Sequence, residues 1–514
     1  MEVANSKKIA QNTLYLYFRM FLVMLVTLYT SRVVLKTLGF EDFGLYNVVG
    51  SVVVFLSFFQ SALSNATYRY IAYELGKGDR GKLNIVYSMA VNCHFILAAL
   101  FVAILEIGGV WFINHKLNVD PSRMVAANWL FQLSLLSFFL GVVRTPYNSN
   151  IIANERMNFY AIISIAEAIL KLIVVLLLVY SPFDKLIFYG FLLFVVSLVI
   201  FVCYYLYCKI YIGDIEYVFC WDGSLLKKFA TYSGWSLFVN AADMSTQQCI
   251  SIFFNWFVGV VGNAALGITN QVIGGVNGLV ANFSVAFNPQ LIKSYASNNL
   301  SYFMNLIFSA SKVAYILYIV VAIPVVSNIN LLLNFWLGDY PSMAADFIGV
   351  AVIYYMLDSL QSPLFQAVHA TGNIRTHHLI VGTIKFMAIP GIYLLLRMGC
   401  SAVVALALWS FSNLVVSIAR TIYMRKLISL NIGNYLLQVV CPLVVVTVVA
   451  CGVAGVFTYV MVESWFRFFA IFLVSVFIIL FLSYIIVFNQ QEKLLLRQVP
   501  VISNLLNLRS NKKA

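Results

Sequence analysis

Charged residues are scarce in this sequence, and their scarcity excludes a water-soluble protein. Of the 514 residues, only 10% are Asp, Glu, Lys or Arg, whereas 62% are hydrophobic. Ordinary globular domains carry about 25% charged and about 45–50% apolar residues. A chain of this length without a polar surface must have lipid as its main solvent. The net charge of +13 is dispersed along the chain and is not massed in one segment, so no nucleic-acid partner is predicted.

Cysteine and histidine are also few, and neither forms a pattern typical of a metal site or a disulfide framework. The eight cysteines lie mostly in apolar stretches, and none belongs to a C-x-x-C pair. They are therefore interpreted as small packing residues. The five histidines do not cluster with them. Because Ser-His-Asp, metal-ligand and phosphate-loop motifs are missing as well, no catalytic residue, metal or cofactor is predicted.

Long apolar stretches are what the sequence has in place of a polar surface. A helix that crosses the hydrocarbon core needs about 20 mostly apolar residues. The runs lack the alternation of a barrel strand, so the fold class is predicted to be all-α integral membrane, with about 14 transmembrane helices. The stretches lie near 13–36, 44–73, 83–113, 122–144, 157–180, 184–209, 229–258, 264–292, 302–333, 345–370, 377–396, 399–424, 434–460 and 464–489.

Lysine and arginine are distributed unevenly between the two sides of these predicted helices. With the N-terminus inside, the cytoplasmic segments hold twenty of them and the opposite side holds six. Cytoplasmic loops carry the excess of basic residues in membrane proteins. Both termini are therefore expected in the cytoplasm.

The chain also contains an internal repeat. Gly39 aligns with Gly259, and Pro146 aligns with Pro363, at nearly the same shift along the chain. An even number of helices per repeat predicts two parallel six-helix lobes related by an axis normal to the membrane. The predicted divisions are an N-terminal lobe 1–209, a cytoplasmic linker 210–228, a C-terminal lobe 229–426, and two extra helices with a cytoplasmic tail, 427–514.

Polar residues form narrow stripes on two predicted helices of the second lobe. Polar groups inside spanning helices usually face the protein interior or a water-filled path. Small and amide residues also hold helices together, so packing is the alternative for any one of them. We favour a hydrated cavity lined by predicted helices 1, 2, 7 and 8. The stripe residues are Ser236, Asn240, Asp243, Gln247, Ser251 and Asn255, then Asn270, Gly274, Asn277, Ala281, Ser284 and Asn288.

Basic residues of the first lobe allow two interpretations. Arg19, Arg69 and Arg144 lie toward the cytoplasmic ends of predicted helices, where they can line a cavity or extend to the membrane surface. Glu167 and Lys171 are four residues apart on one helix, with the acid first, so we expect them to pair.

Two acidic residues lie near the centres of predicted helices. Asp243 has no counter-ion one turn away on its own helix, so solvation by a polar cavity is expected. Asp358 shares a helix face with Ser362 and His369. Both carboxylates are candidates for coupling to an ion, and His369 is interpreted as a hydrogen-bonded interior residue.

The N-terminal run NTLYLYFRMFLVMLVTLYTSRVVLKTLGFEDFGLYNVVGSVVVFLSFFQSALSNATYRYIA and the later segment TPYNSNIIANERMNFYAI carry a family resemblance. They resemble the polysaccharide-repeat-unit flippases of the Wzx type, which serve O-antigen and capsule assembly. That family belongs to the multidrug, oligosaccharidyl-lipid and polysaccharide exporter (MOP) superfamily. The resemblance extends over the whole chain, including the duplicated helices and the two extra ones. The segment from TSR to GLYNVVG is the part most typical of flippases.

This resemblance implies a MATE-like fold whose two lobes open alternately to each side of the bacterial cytoplasmic (inner) membrane. It implies a substrate of undecaprenyl diphosphate linked to a short oligosaccharide, in contact with membrane lipids, and as partners a polysaccharide polymerase and chain-length machinery. Arg19, Arg69 and Arg144 would then bind the diphosphate. The stripes of amide and hydroxyl groups would bind the sugars.

Two other functions stay open at this point. A cation- or proton-coupled multidrug antiporter of the same fold would use Asp243 and Asp358 for the coupling ion. A membrane polysaccharide polymerase or ligase would need a catalytic group on the outer surface, where the longest predicted loop, near 334–346, offers only Asp339 and Asp346.

Overall fold

The computed structural model describes residues 2–54, 57–115, 121–212 and 217–497, and all regular secondary structure among them is helical. The predicted all-α fold is therefore confirmed. Two short π-helical turns, at Leu436–Val440 and Ser483–Val487, continue α14 into α15 and extend α16. The helices are α1 (Glu2–Val54), α2 (Ser57–Lys77), α3 (Arg80–His115), α4 (Met124–Ala153), α5 (Met157–Val179), α6 (Lys185–Tyr211), α7 (Gly223–Val258), α8 (Val260–Ala296), α9 (Leu300–Ser327), α10 (Ile329–Leu337), α11 (Met343–Thr371), α12 (Arg375–Arg397), α13 (Ala402–Ile428), α14 (Ile432–Tyr435), α15 (Cys441–Val460), α16 (Trp465–Leu482) and α17 (Gln490–Arg497).

Eleven helical segments of the described chain are long and apolar enough to cross a membrane. The protein is thus a multi-pass membrane protein, as its composition predicts. Helices α1, α2 and α7 are not among the eleven. In α7 the cause is visible in the sequence, because its polar stripe lowers the mean hydropathy. The count of fourteen spans stays a prediction.

The chain divides into two compact units. One unit is Leu14–Leu237, and the other is Phe238–Ala514 together with Met1–Thr13. In the first unit α4 packs against α2, α3 and α6, and in the second α11 packs against α8, α9 and α13. These are equivalent sets of helices in the predicted repeat. The lobe boundaries expected at 209 and 229 stay predictions, since the division between the units falls inside α7.

The repeat is visible in backbone conformations that few residues adopt. Gly39 has φ 79° and ψ 175°, and Gly259 has φ 84° and ψ −170°. This region of φ and ψ is open essentially to glycine alone, so the two glycines make the same turn at corresponding positions of the repeat. Pro146 and Pro363, the aligned prolines, both lie inside helices, α4 and α11.

Turns between helices repeat in the same way. The left-handed residue after α2 is Gly78, with φ 75°, and the one after α8 is Asn298, with φ 56°. After α4 it is Glu155, with φ 59°, and after α11 it is Gly372, with φ 77°. The first pair is related by the same shift as the aligned glycines, and the second pair by the same shift as the aligned prolines. A non-glycine residue with positive φ is uncommon, so this coincidence supports a duplicated fold.

Helices α6 and α7 both extend into the segment 210–228, whose role as a linker stays a prediction. Helix α6 extends to residue 211 and α7 begins at 223. Segment 217–222 lies along α3, where the amide of Val218 donates to Ser88 Oγ at 2.9 Å and Asn92 Nδ2 donates to the carbonyl of Cys220 at 3.1 Å. Residues 213–216 and the predicted tail, 498–514, lie outside the described residues.

A buried ion pair fixes the last described helix to the second unit. Glu492 of α17 accepts from Lys312 Nζ of α9 at 2.9 Å and from Ser309 Oγ at 2.5 Å. The same carboxylate accepts from the backbone amide of Asn489, while Asn489 Oδ1 accepts from the amide of Glu492. This reciprocal capping begins α17. The two charges lie on helices that are far apart in the sequence, so spacing within one helix could not have predicted their pairing.

The positive φ of Gly259 predicts that Gly259→Ala and Gly275→Ala change the stability of the protein differently. Gly259 precedes α8, whereas Gly275 lies inside it. Gly259→Ala should destabilise the protein by about 1–3 kcal/mol, because a Cβ is strained at this φ and ψ. Gly275→Ala is the matched control, since it lies inside α8 and an added Cβ meets no atom within 4 Å. We expect this control to be neutral or to raise stability by about 0.5–1 kcal/mol. Apparent melting temperatures in detergent provide the measurement, and equal values for the two variants would contradict the assigned backbone.

Candidate functional site

The first unit contains a polar cavity of about 250 Å³ between α2 and α4, which we call the arginine pocket. It brings one predicted site residue, Arg144, together with hydroxyl and amide side chains. Six of the seven lining residues have polar side chains, and the seventh is a glycine. The lining residues are Gln60, Ser61, Ser64, Gly141, Arg144, Thr145 and Asn148.

The arginine pocket carries net positive charge. Lys171 Nζ lies 2.8 Å from Glu167 Oε1, which confirms the predicted pairing. Arg144 Nη1 lies 3.5 Å from Oε2 of the same carboxylate, and its guanidinium lies over the ring of Tyr204, 5.3 Å from the centroid. One carboxylate is therefore shared by two basic side chains. The side chain of Arg144 remains 30% exposed.

Hydrogen bonds between α2 and α4 hold the shape of the arginine pocket. Gln60 Nε2 donates to the carbonyl of Gly141 and to Thr145 Oγ1, both at 3.0 Å. Thr145 Oγ1 donates in turn to the same carbonyl at 3.2 Å. Asn148 Oδ1 is buried and has no hydrogen-bond partner within the part of the chain that the structure describes. A buried acceptor of this kind requires a donor that none of the described residues provides.

The other two predicted arginines of the first unit contact aromatic rings. The guanidinium of Arg19 lies 4.8 Å from the ring centroid of Tyr160. Arg69 is only 7% exposed, and neither arginine lines the arginine pocket. The rings around Arg69 belong to Tyr70, Tyr73 and Tyr232, at 4.7, 4.9 and 5.9 Å. Enclosure by tyrosines favours a packing role for Arg69, and substrate contact by Arg19 and Arg69 stays a prediction.

In the second unit, Asp243 has a counter-ion that sequence reasoning missed. Lys385 Nζ of α12 hydrogen-bonds to Asp243 Oδ1, and the two side chains are 12% and 37% exposed. Thr246, one turn along α7, also reaches the Lys385 carbonyl at 3.4 Å. The expectation that a polar cavity alone solvates Asp243 is therefore incomplete. The partner lies on a different helix, far along the chain and beyond the range of helical spacing.

Asp358, the second candidate for ion coupling, lies within electrostatic reach of Lys385, Arg420 and Asp243. Arg420 is itself buried, and its Nε donates to His377 Nε2 at 3.1 Å. This group contains two carboxylates and two basic side chains, so their formal charges balance. Sequence reasoning had no signal for Arg420 or His377, because the contacts join α11, α12 and α13.

A second cavity, of about 150 Å³, lies in the second unit among α7, α8, α11 and α13, and we call it the amide pocket. It brings together three residues of the predicted stripes, Gln247, Ser251 and Asn270, and no acidic, basic or histidine side chain lines it. Asn263 Oδ1 accepts from Ser251 Oγ at 3.1 Å, which orients its carboxamide. The other polar and aromatic lining residues are Thr269, Tyr355 and Trp409.

Four further predicted residues lie elsewhere along α7 and α8. Asn240 and Asn277 are partly exposed, and Ser284 Oγ lies 3.2 Å from Ser362 Oγ of α11. Asn288 Oδ1 is buried without a hydrogen-bond partner among the described residues. These four do not line the amide pocket, and their contact with a substrate stays a prediction.

The repeat relates the arginine pocket to a site of different charge in the second unit. At the shift that aligns the two prolines, Arg144 corresponds to Gln361 and Gly141 corresponds to Asp358. Ser64 corresponds to Ser284 at the shift that aligns the two glycines. The duplicated scaffold thus presents a guanidinium in the first unit, and a neutral amide with a nearby carboxylate in the second.

Comparison with known proteins identifies the fold of this chain but does not assign the chain to a family. No protein-family model matches the chain. A region of 157 residues is 22% identical to the uncharacterized membrane protein EpsK of Bacillus subtilis, and covers 30% of this chain and 31% of that protein. The match thus spans less than a third of the length of that relative.

Solved structures of transporters share the fold over most of the chain. A MOP superfamily transporter from Pyrococcus furiosus matches with a TM-score of 0.71 at 13% identity, over 83% of this chain and 96% of that one. A variant of the Vibrio cholerae MATE transporter VcmN matches with a TM-score of 0.73 at 14% identity, over 84% and 99%. The predicted MATE-like membrane fold is therefore confirmed.

The ion pair of Asp243 and Lys385 predicts the stability of three variants. Lys385→Met leaves the carboxylate without its counter-ion and should destabilise the protein by about 1–3 kcal/mol. Asp243→Asn combined with Lys385→Met should recover part of this loss, because no uncompensated charge then remains. Lys82→Met is the control, since its pair with Asp79 is largely exposed and contributes little.

The melting temperatures of the detergent-solubilised variants test this order. A double variant less stable than Lys385→Met, or a Lys82→Met variant as unstable as Lys385→Met, would contradict the pairing.

Proposed function

We propose that this protein is a flippase that moves undecaprenyl-diphosphate-linked oligosaccharide repeat units across the bacterial cytoplasmic membrane by alternating access, for surface polysaccharide assembly. The observation that carries the proposal is the arginine pocket, where a partly exposed guanidinium lies among neutral hydrogen-bonding groups. A diphosphate linked to sugars offers both kinds of partner in one molecule. The transporter fold supports movement of a substrate and not its chemical conversion.

The chemistry of Arg144 suits a phosphate ester. A guanidinium has a planar fork of donors that matches phosphate oxygens in a bidentate arrangement. Its contact with Glu167, at 3.5 Å, is longer than the 2.8 Å contact that Lys171 makes with the same carboxylate. The charge of Arg144 is therefore only partly compensated by its neighbours. An anionic substrate group would complete the compensation in a region of low dielectric constant.

Orientation and partners follow from the same proposal. With both termini in the cytoplasm, Arg144 lies in the cytoplasmic half of α4, the side from which a newly made lipid-linked saccharide would arrive. Membrane lipids surround the apolar helices, and a polysaccharide polymerase with its chain-length machinery would take the product on the other side. Nucleic acid has no part in this function.

The second candidate function is a cation- or proton-coupled multidrug antiporter. Asp243 and Asp358 favour it, because carboxylates inside apolar helices are typical of ion and proton pathways. Lys385 weighs against it at Asp243, since it already pairs with that carboxylate. An antiporter would bind its cation at this group only after Lys385 moves away from Asp243.

Substitution of Arg144 tests the flippase proposal. In vesicles that contain the purified protein and a fluorescent undecaprenyl-diphosphate disaccharide, Arg144→Ala should slow flipping by about ten- to a hundred-fold, because a hydrogen bond to a charged group contributes about 1.5–3 kcal/mol. Arg144→Lys should fall between this variant and the wild type, since it keeps the charge but loses the planar fork. Arg144→Gln, which places here the residue found at the repeat-related position, should behave like Arg144→Ala.

Lys82→Met is the control. It removes a cation of the first unit that pairs with the largely exposed Asp79 and does not line the arginine pocket, so flipping should stay within about two-fold of the wild type. Wild-type flipping by Arg144→Ala at normal protein levels would end the proposal. Export of a cationic dye that requires Asp243 would favour the antiporter.

A further inference from the structure

The amide pocket differs from the arginine pocket in having no charged side chain. Its two exposed amides, Gln247 and Asn270, lie on α7 and α8, within segments that the sequence predicts to cross the membrane. An amide in such a position is unfavourable in contact with lipid, because hydrocarbon offers no hydrogen bonds. These side chains therefore need water or a polar ligand in front of them.

Aromatic rings form a fixed wall of the amide pocket. The rings of Tyr354 and Trp409 stack at 3.8 Å with an interplanar angle of 11°, and the ring of Tyr355 meets Trp409 edge-on at 6.1 Å. Asn413 Nδ2 donates to the carbonyl of Tyr354 at 2.8 Å and ties α13 to α11. One face of the Trp409 ring is thus covered by Tyr354, and the lining of the amide pocket offers no carboxylate to a cation.

The size and chemistry of the amide pocket restrict its ligand. Pockets that enclose a drug-sized molecule measure about 300–1,000 Å³, whereas this cavity measures about 150 Å³. It therefore accommodates a single ring. An anion would find no cation on the wall, and a cation would find no carboxylate. A neutral pyranose combines hydroxyl groups, which bind amides, with a CH face, which packs on aromatic and aliphatic side chains.

We propose that the amide pocket is a binding site for one neutral sugar ring, in which Gln247 and Asn270 select the ligand by hydrogen bonds to its hydroxyl groups. The inference rests on the proposed function, because it assigns the saccharide part of the substrate to this pocket. Ser251 fixes the carboxamide of Asn263, which supplies a third amide in a set orientation. Tyr355 and Trp409 contact the less polar face of the ring.

Saturation-transfer NMR on the full-length protein in nanodiscs tests this site directly. The probes are methyl glucoside, methyl galactoside, methyl N-acetylglucosaminide and, as the anionic counterpart, glucuronate. At least one neutral pyranoside should bind the wild type, and Gln247→Ala with Asn270→Ala should weaken that binding about ten-fold or more. Gln271→Ala, which removes the exposed amide next to Asn270 on α8 but outside the pocket, should leave the affinity within about two-fold.

A variant that fills the pocket controls for the case in which the double variant fails to fold. Gly267 lines the amide pocket, and a Cβ added there meets no atom within 4 Å, so Gly267→Leu fills the space without removing a hydrogen-bonding group. It should abolish sugar binding and keep the wild-type melting temperature. The proposal is overturned if no neutral pyranoside binds, if glucuronate binds more tightly than all of them, or if Gly267→Leu binds like the wild type.

The flipping assay separates the two proposals. Suppose that the wild type binds a sugar, that Gly267→Leu abolishes this binding, and that the wild type does not flip the lipid-linked disaccharide. This result would support the sugar site and overturn the proposed function. Flipping that depends on Arg144, without any sugar binding in the amide pocket, would support the proposed function and overturn the sugar site.

Discussion

Lipid offers no hydrogen bonds, and this constraint shapes every polar contact within the apolar helices. Each amide, hydroxyl or charge placed there must find a partner inside the protein, or face water or a ligand. Asp243 finds Lys385, and Lys312 finds Glu492. Gln247 stays exposed at a cavity. Polar groups of the first kind hold helices together, whereas those of the second kind indicate where a substrate would bind.

The duplication gives the two units the same arrangement of helices, but the side chains at equivalent positions differ in charge. The helices around α4 and those around α11 pack with equivalent neighbours, and the turns at Gly39 and Gly259 have nearly the same backbone angles. Side chains at related positions differ in charge, as with Arg144 and Gln361. A substrate with an anionic part and a neutral polyhydroxyl part matches this asymmetry better than a compact drug cation does.

Much of the fold could be predicted from the sequence, because composition and apolar length determine membrane helices. The self-alignment also paired Gly39 with Gly259, but the unusual turn that both glycines make is visible only in the structure. Side-chain partners were harder to predict. Helical periodicity shows which residues share one face, but it does not show which helix lies opposite. For this reason the stripe with Gln247 was visible in the sequence, whereas Lys385 and the aromatic wall with Trp409 were not.

The central claim is that the chain moves a lipid-linked saccharide across the membrane. The most direct measurement deletes the gene in its host and determines on which side of the cytoplasmic membrane lipid-linked repeat units accumulate, by their accessibility in intact spheroplasts to a glycosidase that cannot cross the membrane. The account predicts that repeat units accumulate on the inner leaflet, protected from the enzyme, and that the wild-type gene restores their exposure. Unchanged exposure of the repeat units in the deletion strain would contradict it.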